Sequence, residues 1–284
     1  MTTNDSEGPN SGQIAYWNAA AGETWATLQE RLDRQIEPLG AEAMRALAPR
    51  AGEAIVDIGC GCGQTTLALA AAVGARGRVT GVDISRPMLD VARARIAATG
   101  GETARVLEAD AQVHAFEAGA LDAAFSRFGV MFFNDPPAAF ANIRRGLRVG
   151  GRLAFVCWRP LSDNPWMAAP MLAALPILGP LPAPDPVAPG PFAFADSARL
   201  RTILSSAGFA DIDIAPFDAP VSGGDLEQTI ATSLRIGPLG ALLREQPDKA
   251  PAVMDALRAA LSKFDTPQGV VMASGTWIVQ ARAP

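Results

Sequence analysis

The sequence predicts a doubly wound α/β fold with a mostly parallel sheet, and three features support it. Between residues 51 and 158, short apolar runs alternate with helix-like segments, which is the pattern of parallel strands joined by right-handed crossovers. The first run, residues 54–58, is β-branched and short enough for a strand buried on both faces. Three alternating glycines and an Ala/Leu-rich segment follow it. They predict a strand, a glycine turn and a helix, with a ligand site at the carboxyl end of the strand.

The remaining elements follow from the same periodicities. In the core we expect further strands at 78–84, 104–109, 121–128 and 152–158, and a helix at 136–147. Helical spacing of apolar residues also covers 14–48, where Pro38-Leu39-Gly40 is expected to separate two helices, the second at 41–47. Downstream we expect helices at 197–207, 225–236 and 250–264, and strands at 212–221 and 270–280.

This order of elements divides the chain into a leader and one domain. The polar residues 1–13 predict a disordered leader. The domain, 14–284, is long enough for one large core. It is expected to begin with an N-terminal helical cap (14–48) and a ligand-binding core (51–158). A lid (159–195) follows, and then C-terminal helices and strands that complete the sheet (196–284). The lid segment holds ten prolines and is expected to be irregular or short-helical.

Composition excludes several classes of protein. A formal net charge of −5 argues against a nucleic-acid-binding role. Prolines interrupt every long apolar stretch, so no integral membrane segment is expected, and residues 1–13 lack the pattern of a signal peptide. The sequence therefore predicts a cytoplasmic protein. One histidine and no Cys-x-x-Cys pair predict no metal site, and the oligomeric state is left open.

The glycine loop is a weak signal when it is taken alone. Gly59, Gly61 and Gly63 allow a ligand to approach the backbone at the start of a helix. The dinucleotide fingerprint G-x-G-x-x-G, however, needs a glycine at the position of Gln64. The loop therefore indicates a nucleotide-like ligand without identifying it.

Three acidic residues narrow the choice of ligand. Asp83, at the end of the second strand, is placed to accept hydrogen bonds from a ribose diol. Asp110, at the end of the third, can accept from an exocyclic amine such as that of adenine. Asp57, inside the first strand, is expected either to contact a cationic amino group of the ligand or to stabilise the glycine turn. These anions would repel a pyrophosphate and suit a ligand with ribose, adenine and an ammonium group.

At these residues the chain resembles class I S-adenosylmethionine-dependent methyltransferases. The matching segments lie in family order within about 51–158: Val56–Gly63 (motif I), Gly81–Ser85 with Met88-Leu89 (the acidic ribose motif), Ala109–Gln112 (the adenine segment), Phe125–Gly129 and Leu147–Leu153. The quinone- and sterol-biosynthesis type, which methylates small molecules, is the most similar. The resemblance implies a Rossmann-like methyltransferase fold whose last strand is antiparallel.

The resemblance also implies S-adenosyl-L-methionine as cofactor and assigns residues to it. Gly59, Gly61 and Gly63 would hold the methionine end, and Asp83 the ribose. The other implied contacts are Ile84 and Met88 beside the adenosine, Asp110 and Ala111 at the adenine edge, and Ser126 and Arg127 beside the methionine at the substrate mouth. Cys62 stands where the family usually carries Thr or Ser, and we expect it to act as a small apolar substitute.

The N-terminal aromatic residues leave two interpretations open. In some methyltransferases of this class, residues at the spacing of Tyr16, Trp25 and Arg34 close over the cofactor. Alternatively, Tyr16 and Trp25 are core-facing residues of amphipathic helices. For Trp17 and Arg34 the structural interpretation is favoured.

The sequence thus predicts methyl transfer to a small, apolar or aromatic acceptor by in-line displacement. Because the cofactor already activates the methyl group, no acid/base set is required, and no catalytic residue is assigned. His114 follows the adenine segment and is expected to lie too far from the methyl group to act as a base. Two interpretations stay open for Trp158, Trp166, Phe192 and Phe194: they form the acceptor pocket or its lid, or they only cover the hydrophobic edge of the sheet. Two alternatives stay open: a nicotinamide-dependent oxidoreductase, and a non-catalytic S-adenosylmethionine-binding or scaffold protein.

Overall fold

A twisted, mostly parallel sheet organises the computed structural model, which describes residues 8–179, 185 and 187–284. Its strands are β1 Ala54–Ile58, β2 Arg78–Asp83, β3 Ala104–Glu108, β4 Leu121–Arg127, β5 Leu147–Trp158, β6 Ala210–Ser222, β7 Asp265–Thr266 and β8 Gly269–Arg282. They are ordered β3-β2-β1-β4-β5-β8-β6, with the short β7 paired to β8. The pairs among β1–β5 are parallel, whereas β8 is antiparallel to both β5 and β6. The predicted fold class is confirmed.

Helices cover both faces of this sheet. Those of the parallel part are α4 Gln64–Val73, α5 Arg86–Thr99 and α6 Pro136–Gly146, after three N-terminal helices, α1 Ser11–Trp17, α2 Ala20–Thr27 and α3 Gln29–Leu47. All five residues of β1 are buried, as expected for a strand between two helical layers. Because β1, β2 and β4 are parallel, their carboxyl ends lie at the same edge of the sheet, next to the glycine loop.

The N-terminal region differs from its prediction in two ways. Residues 1–7 of the predicted leader lie outside the described residues, but its end is ordered, because α1 begins at Ser11. The predicted break at Pro38-Leu39-Gly40 is wrong: α3 runs unbroken through Pro38. Pro38 costs the helix a hydrogen bond to the exposed Arg34, but the opposite face is anchored in the core by Ile36, Leu39 and Ala43.

The segment expected to be irregular or short-helical contains one helix of about four turns. Residues Pro165–Leu178 form the 14-residue helix α7, with Pro170 and Pro176 inside it. Pro165 is favourable at the first turn, and apolar packing of Met171, Ala174 and Leu178 holds the helix despite the two internal prolines. The rest of the lid prediction falls partly on residues 180–184 and 186, which lie outside the described residues.

The C-terminal part adds four helices to the sheet: α8 Ser197–Ser206, α9 Leu226–Ser233, α10 Gly237–Glu245 and α11 Ala250–Leu261. The helix predicted at 225–236 ends earlier than expected. Gly237 starts α10 with φ 63°, and Pro238 follows in its first turn. α10 was not predicted from the sequence.

The buried apolar residues form two separate clusters. The larger, the sheet cluster, surrounds β1, β4, β5 and β8. The smaller, which we call the cap cluster, joins α7, α9, α10 and α11 to β8 and consists of Met171, Ala174, Leu178, Ile230, Leu239, Leu243, Val253, Leu257, Leu261, Val270 and Met272. Trp166 packs against both. None of the helices in the described part of the chain is long and apolar enough to span a membrane.

Candidate ligand-binding site

The glycine loop after β1 adopts a backbone that side chains would disrupt. Gly59, Gly61 and Gly63 have φ angles of 66°, 51° and 80°, which L-residues rarely adopt. A Cβ on Gly59 would stand 2.6 Å from the Cα of Gly129 in the loop after β4. On Gly61 it would stand 2.7 Å from the Cε of Met88. The loop is therefore fixed by the close approach of Gly129 and Met88. Gly59 and Gly61 line a cavity, and Gly63 caps α4 outside it.

Asp57 stabilises this loop from below. It is fully buried, and one carboxylate oxygen accepts hydrogen bonds of 2.7 Å from both Thr65 and Thr66 at the start of α4. Burial raises the pKa of Asp57 to about 6, although the two hydroxyl donors and the Arg127 cation oppose the shift. Of the two alternatives for this residue, the geometry favours bracing the turn, because Asp57 does not line the cavity.

Asp83 closes the loop from β2. Its oxygens accept from the backbone N–H groups of Gly61 at 2.8 Å and Ser85 at 2.9 Å. Burial raises its pKa above the ordinary value, against the effect of these donors. Asp83, Ile84 and Met88 all line the cavity. The remaining lone pairs of the Asp83 carboxylate can accept from a diol.

Asp110 follows β3 and has one unused oxygen. Its Oδ1 accepts from the Gln112 N–H at 2.9 Å and from the Asn10 side chain at 3.3 Å. Its Oδ2 is buried and has no hydrogen-bond partner among the described residues. A buried unpaired acceptor is costly, so this oxygen suits a ligand that donates a hydrogen bond. Ala111, buried beside it, also lines the cavity.

Ser126 and Arg127, at the end of β4, have different surroundings. Ser126 is fully buried, donates to the Ile58 carbonyl at 2.8 Å and accepts from the Gly129 N–H at 3.1 Å. It thus ties β4 to the glycine loop and does not line the cavity. Arg127 does line it, and its side chain is 11% exposed.

The partner of Arg127 is Asp33, which the sequence analysis missed. One Asp33 oxygen accepts from Arg127 at 2.8 Å, and the other lies 3.1 Å from Arg95 on α5. Arg95 also donates to the Cys62 carbonyl at 2.9 Å, and Arg127 donates to Gln64. The sequence signal for Asp33 was an acidic residue among the buried positions of α3.

The N-terminal aromatic residues divide between cavity and surface. Trp17 and Trp25 line the cavity, with their rings edge to face at 6.1 Å, and Trp17 packs similarly on Phe132 at 5.2 Å. Tyr16 is 40% exposed and lies outside the cavity. Arg34 is exposed. Trp17, for which the structural interpretation was favoured, is thus closer to the site than Tyr16.

The cavity that joins these residues has a volume of ≈ 250 Å³ and two chemically different halves. The glycine-loop half is lined by Gly59, Gly61, Asp83, Asp110 and their neighbours. The aromatic half is enclosed by α3, α7 and the start of α10; its apolar lining is Phe128, Trp158, Trp166, Met167, Pro170, Met171, Ile236 and Leu239. Phe192 and Phe194 do not line it, because Phe194 is fully buried in the sheet cluster and Phe192 packs against the same cluster.

Three aromatic rings in contact connect the two halves. Phe128 lies flat on Trp158, with ring centroids 4.0 Å apart and 11° between their planes, and Trp158 contacts Trp166 at 5.2 Å. Phe128 has a φ of 63°, a costly conformation for a bulky residue that is typical of functional sites. The ring series begins beside Arg127 at the glycine loop and ends on α7.

Other candidate groups are not reactive here. His114 packs against Phe116 and does not line the cavity. Cys60 and Cys62 line it, but burial raises the pKa of Cys62 to about 12 and that of Cys60 well above its ordinary value, so both are thiols at neutral pH. Within the described residues no group of three His, Cys, Asp or Glu side chains could hold a metal ion.

Comparisons with known proteins relate part of this chain to methyltransferases. Residues 55–151 match the family described as a methyltransferase domain. Aklanonic acid methyltransferase DauC of Streptomyces sp. (strain C5) is 33% identical over 118 residues, which are 42% of this chain and 54% of that protein. Demethylmenaquinone methyltransferase of Staphylococcus aureus is 29% identical over 189 residues, 63% of this chain and 77% of that protein. The chain thus spans about half the length of DauC.

Solved structures share the fold at low identity. A putative methyltransferase from Bacillus halodurans C-125 superposes with a TM-score of 0.56 at 19% identity, covering 86% of this chain and 98% of that one. Geranyl diphosphate C-methyltransferase from Streptomyces coelicolor A3(2), solved with Mg²⁺, geranyl diphosphate and S-adenosyl-L-homocysteine, gives 0.52 at 17%, covering 87% and 79%. The resemblance to class I small-molecule methyltransferases is confirmed.

Proposed function

We propose that this protein transfers the methyl group of S-adenosyl-L-methionine to a small, mostly apolar or aromatic acceptor. The observation that carries the proposal is the unpaired Asp110 Oδ2 beside a glycine loop, opposite an aromatic half of the same cavity. The named activities of the relatives are consistent with it. We further propose a cytoplasmic enzyme with no nucleic-acid partner, in keeping with the net charge of −5.

The residues fit the cofactor. Oδ2 of Asp110 accepts from the exocyclic amine of adenine, Asp83 accepts from the ribose hydroxyls, and Ile84 and Met88 flank the adenosine. The loop of Gly59, Gly61 and Gly63, with Ser126 and Asp57 behind it, receives the methionine end. Ser126 and Asp57 act by holding the loop, since their oxygens bond to Ile58 and to the α4 threonines. Trp25 covers the cavity. Tyr16 would contact the cofactor only if α1 moved towards the cavity.

The chain's own contribution to the reaction is positioning. The bound cofactor supplies a methyl group already activated by a positive sulfonium. The aromatic half holds the acceptor in line and excludes water, which accounts for much of the acceleration in such a transfer. Among the described residues that line the cavity there is no histidine, and Asp33 is held by two arginines. We therefore assign no general base, and the acceptor brings its own nucleophilicity.

Calorimetric titration tests the cofactor assignment. Asp110→Asn keeps the Oδ1 acceptor that orders the Asp110–Gln112 turn but puts an N–H donor where the adenine amine donates. We expect S-adenosylmethionine to bind about 5- to 150-fold more weakly, since an unmade hydrogen bond to a buried group costs about 1–3 kcal/mol. Asp90→Asn, which removes only an exposed pair with Arg93, is the matched control and should bind as wild type does.

The same titration separates the two alternatives. Binding of NAD⁺ in place of S-adenosylmethionine would overturn the proposal in favour of an oxidoreductase. Release of S-adenosyl-L-homocysteine with members of a panel of phenols, enols and quinols supports transfer. Binding of the cofactor with no product from any acceptor class would favour the non-catalytic alternative.

A further inference from the structure

Two buried polar groups in the aromatic half of the cavity have no partner. Oε1 of Gln35, on α3, and Nε1 of Trp166, on α7, are both inaccessible to solvent and form no hydrogen bond among the described residues. Gln35 is 7% exposed. Buried polar groups in native proteins are almost always paired, and here an acceptor and a donor stand unpaired at the wall of one cavity.

The two groups also share a small recess. Gln35 and Trp166 line a side cavity of ≈ 20 Å³, whose other walls include Thr229, Ser233 and Met272. The Thr229 hydroxyl is directed to the Gly224 carbonyl at 3.3 Å. A space of this volume accommodates about one oxygen atom. The recess therefore has room for a single polar atom of a ligand in the main cavity.

The chemistry of the two groups specifies that atom. An indole N–H only donates, and an amide oxygen only accepts. A hydroxyl satisfies both, because it accepts from Trp166 and donates to Gln35. A carbonyl or carboxylate oxygen would pair with both groups only if the Gln35 amide turned to present its Nε2 donor.

The recess lies away from the glycine loop. Trp166 is the last ring of the series that starts at Phe128. The Phe128 and Trp158 ring centroids are 4.0 Å apart, and those of Trp158 and Trp166 are 5.2 Å apart. Ser233, the last residue of α9, and Ile236, just before α10, line both cavities. A ligand that reaches both the glycine-loop half and the recess has to extend along this ring series, and a fused-ring molecule has such an extended shape.

We infer that Gln35 and Trp166 form a hydroxyl-reading subsite, which selects fused-ring acceptors carrying a hydroxyl remote from the methylated atom. The inference rests on the proposed function for what happens at the near end of the acceptor. It makes Gln35 and Trp166 specificity-determining residues, with no part in activating the methyl group.

A binding experiment with two matched probes tests the subsite. Protein saturated with S-adenosyl-L-homocysteine is titrated with 1-naphthol and with 1,5-dihydroxynaphthalene, which differ by one remote hydroxyl. We expect the diol to bind about tenfold more tightly, as one well-made hydrogen bond allows. In Gln35→Leu and in Trp166→Phe this preference should fall to about twofold or less, while 1-naphthol keeps its affinity.

Trp277→Phe is the matched control. The Trp277 indole N–H donates to the Ala195 carbonyl at 2.9 Å, outside the cavity. This variant should lower the melting temperature but retain the preference for the diol. Trp166→Phe should show the opposite pattern, because the N–H that it removes has no partner in the protein.

The outcomes are distinct. Equal affinity for the two probes in the wild type, no binding of either, or a preference that survives in both Gln35→Leu and Trp166→Phe overturns the subsite. If S-adenosyl-L-homocysteine does not bind but the free protein still prefers the diol and loses that preference in the variants, the subsite stands and the proposed methyl transfer fails.

Discussion

The two halves of the cavity are built in different ways. The glycine-loop half comes from backbone at the ends of adjacent strands, within residues 54–129, and its shape depends on positive φ angles and close chain contacts. The aromatic half comes from side chains on α3, α7 and α10, together with Phe128 after β4 and Trp158 at the end of β5. These elements are far apart in sequence. Backbone geometry requires particular residues at fixed spacing, whereas an apolar wall accepts many residues of similar volume. The first half is therefore specified locally and the second only by the completed fold.

The largest expected effect is that of Gly59→Ala, which tests whether the glycine-loop half depends on backbone approach. Its Cβ would lie 2.6 Å from the Gly129 Cα at a φ of 66°, so strain and overpacking add, and we expect a loss of about 4 kcal/mol in the free energy of unfolding. Cofactor binding should be lost as well. Urea unfolding and calorimetry measure both quantities.

Gly52→Ala is the control for the Gly59 variant. Gly52 has a φ of 87°, but an added Cβ meets nothing within 4 Å. It should therefore cost only the conformational strain, about 1 kcal/mol, and leave cofactor binding unchanged. Equal losses in the two variants would show that close approach of the Gly129 backbone does not determine the loop.

The second prediction concerns the cap cluster. Leu257 and Leu69 are both fully buried, the first in the cap cluster and the second in the sheet cluster beneath the glycine loop. Each Leu→Ala change should cost about 3 kcal/mol, from lost burial and the cavity it leaves. Only Leu69→Ala should weaken cofactor binding, whereas Leu257→Ala should weaken naphthol binding in the aromatic half. Parallel loss of both affinities in both variants would contradict the separation of the two halves.

The third and smallest effect is a pH dependence that originates in the glycine-loop half. Burial raises the pKa of Asp57 from 3.8 to about 6, so the folded state binds more protons than the unfolded state between those values. The free energy of unfolding should therefore fall as pH rises from about 4 to 6, by at most about 3 kcal/mol, and then level off. Asp57→Asn should lack this component, which urea unfolding at pH 4.5 and 7.5 would detect.

Asp122→Asn is the control for the pH experiment. The pKa of Asp122 is lowered by the Ala54 N–H and by Arg148, which outweigh its partial burial. Its contribution to stability is lost only below the pH range measured, so the dependence between pH 4.5 and 7.5 should match that of the wild type. A wild-type slope retained in Asp57→Asn would assign the dependence to another group.

The same contrast explains how much could be predicted from the sequence. The strands β1 to β4 begin where their apolar runs predict, and acids and glycines at their ends identify the ligand edge, because each signal is local. Asp83, Asp110 and the glycines Gly59 and Gly61 line the cavity as expected. Their contacts with the cofactor remain predictions.

The failures all involve long-range packing. The break at Pro38 was wrong because the apolar face of α3 is anchored across the sheet cluster. The length of α7, within a segment expected to be irregular or short-helical, likewise depends on packing in the cap cluster. Phe194 was a candidate for the pocket, but it fills the core between Phe140 and Phe155. Asp33 was missed because its partners, Arg95 and Arg127, are more than sixty residues away in sequence. No local pattern reports such pairs.

The separation of the two buried clusters has a consequence for substitutions. Residues of the cap cluster mainly contact one another, so a change among α7, α9, α10 and α11 disturbs little beyond the aromatic half. Under the proposed function, substitutions in the cap cluster would therefore alter the acceptor half and leave the glycine-loop half intact. The matched family segment, residues 55–151, contains Gly59, Asp83 and Asp110 and no residue of the cap cluster.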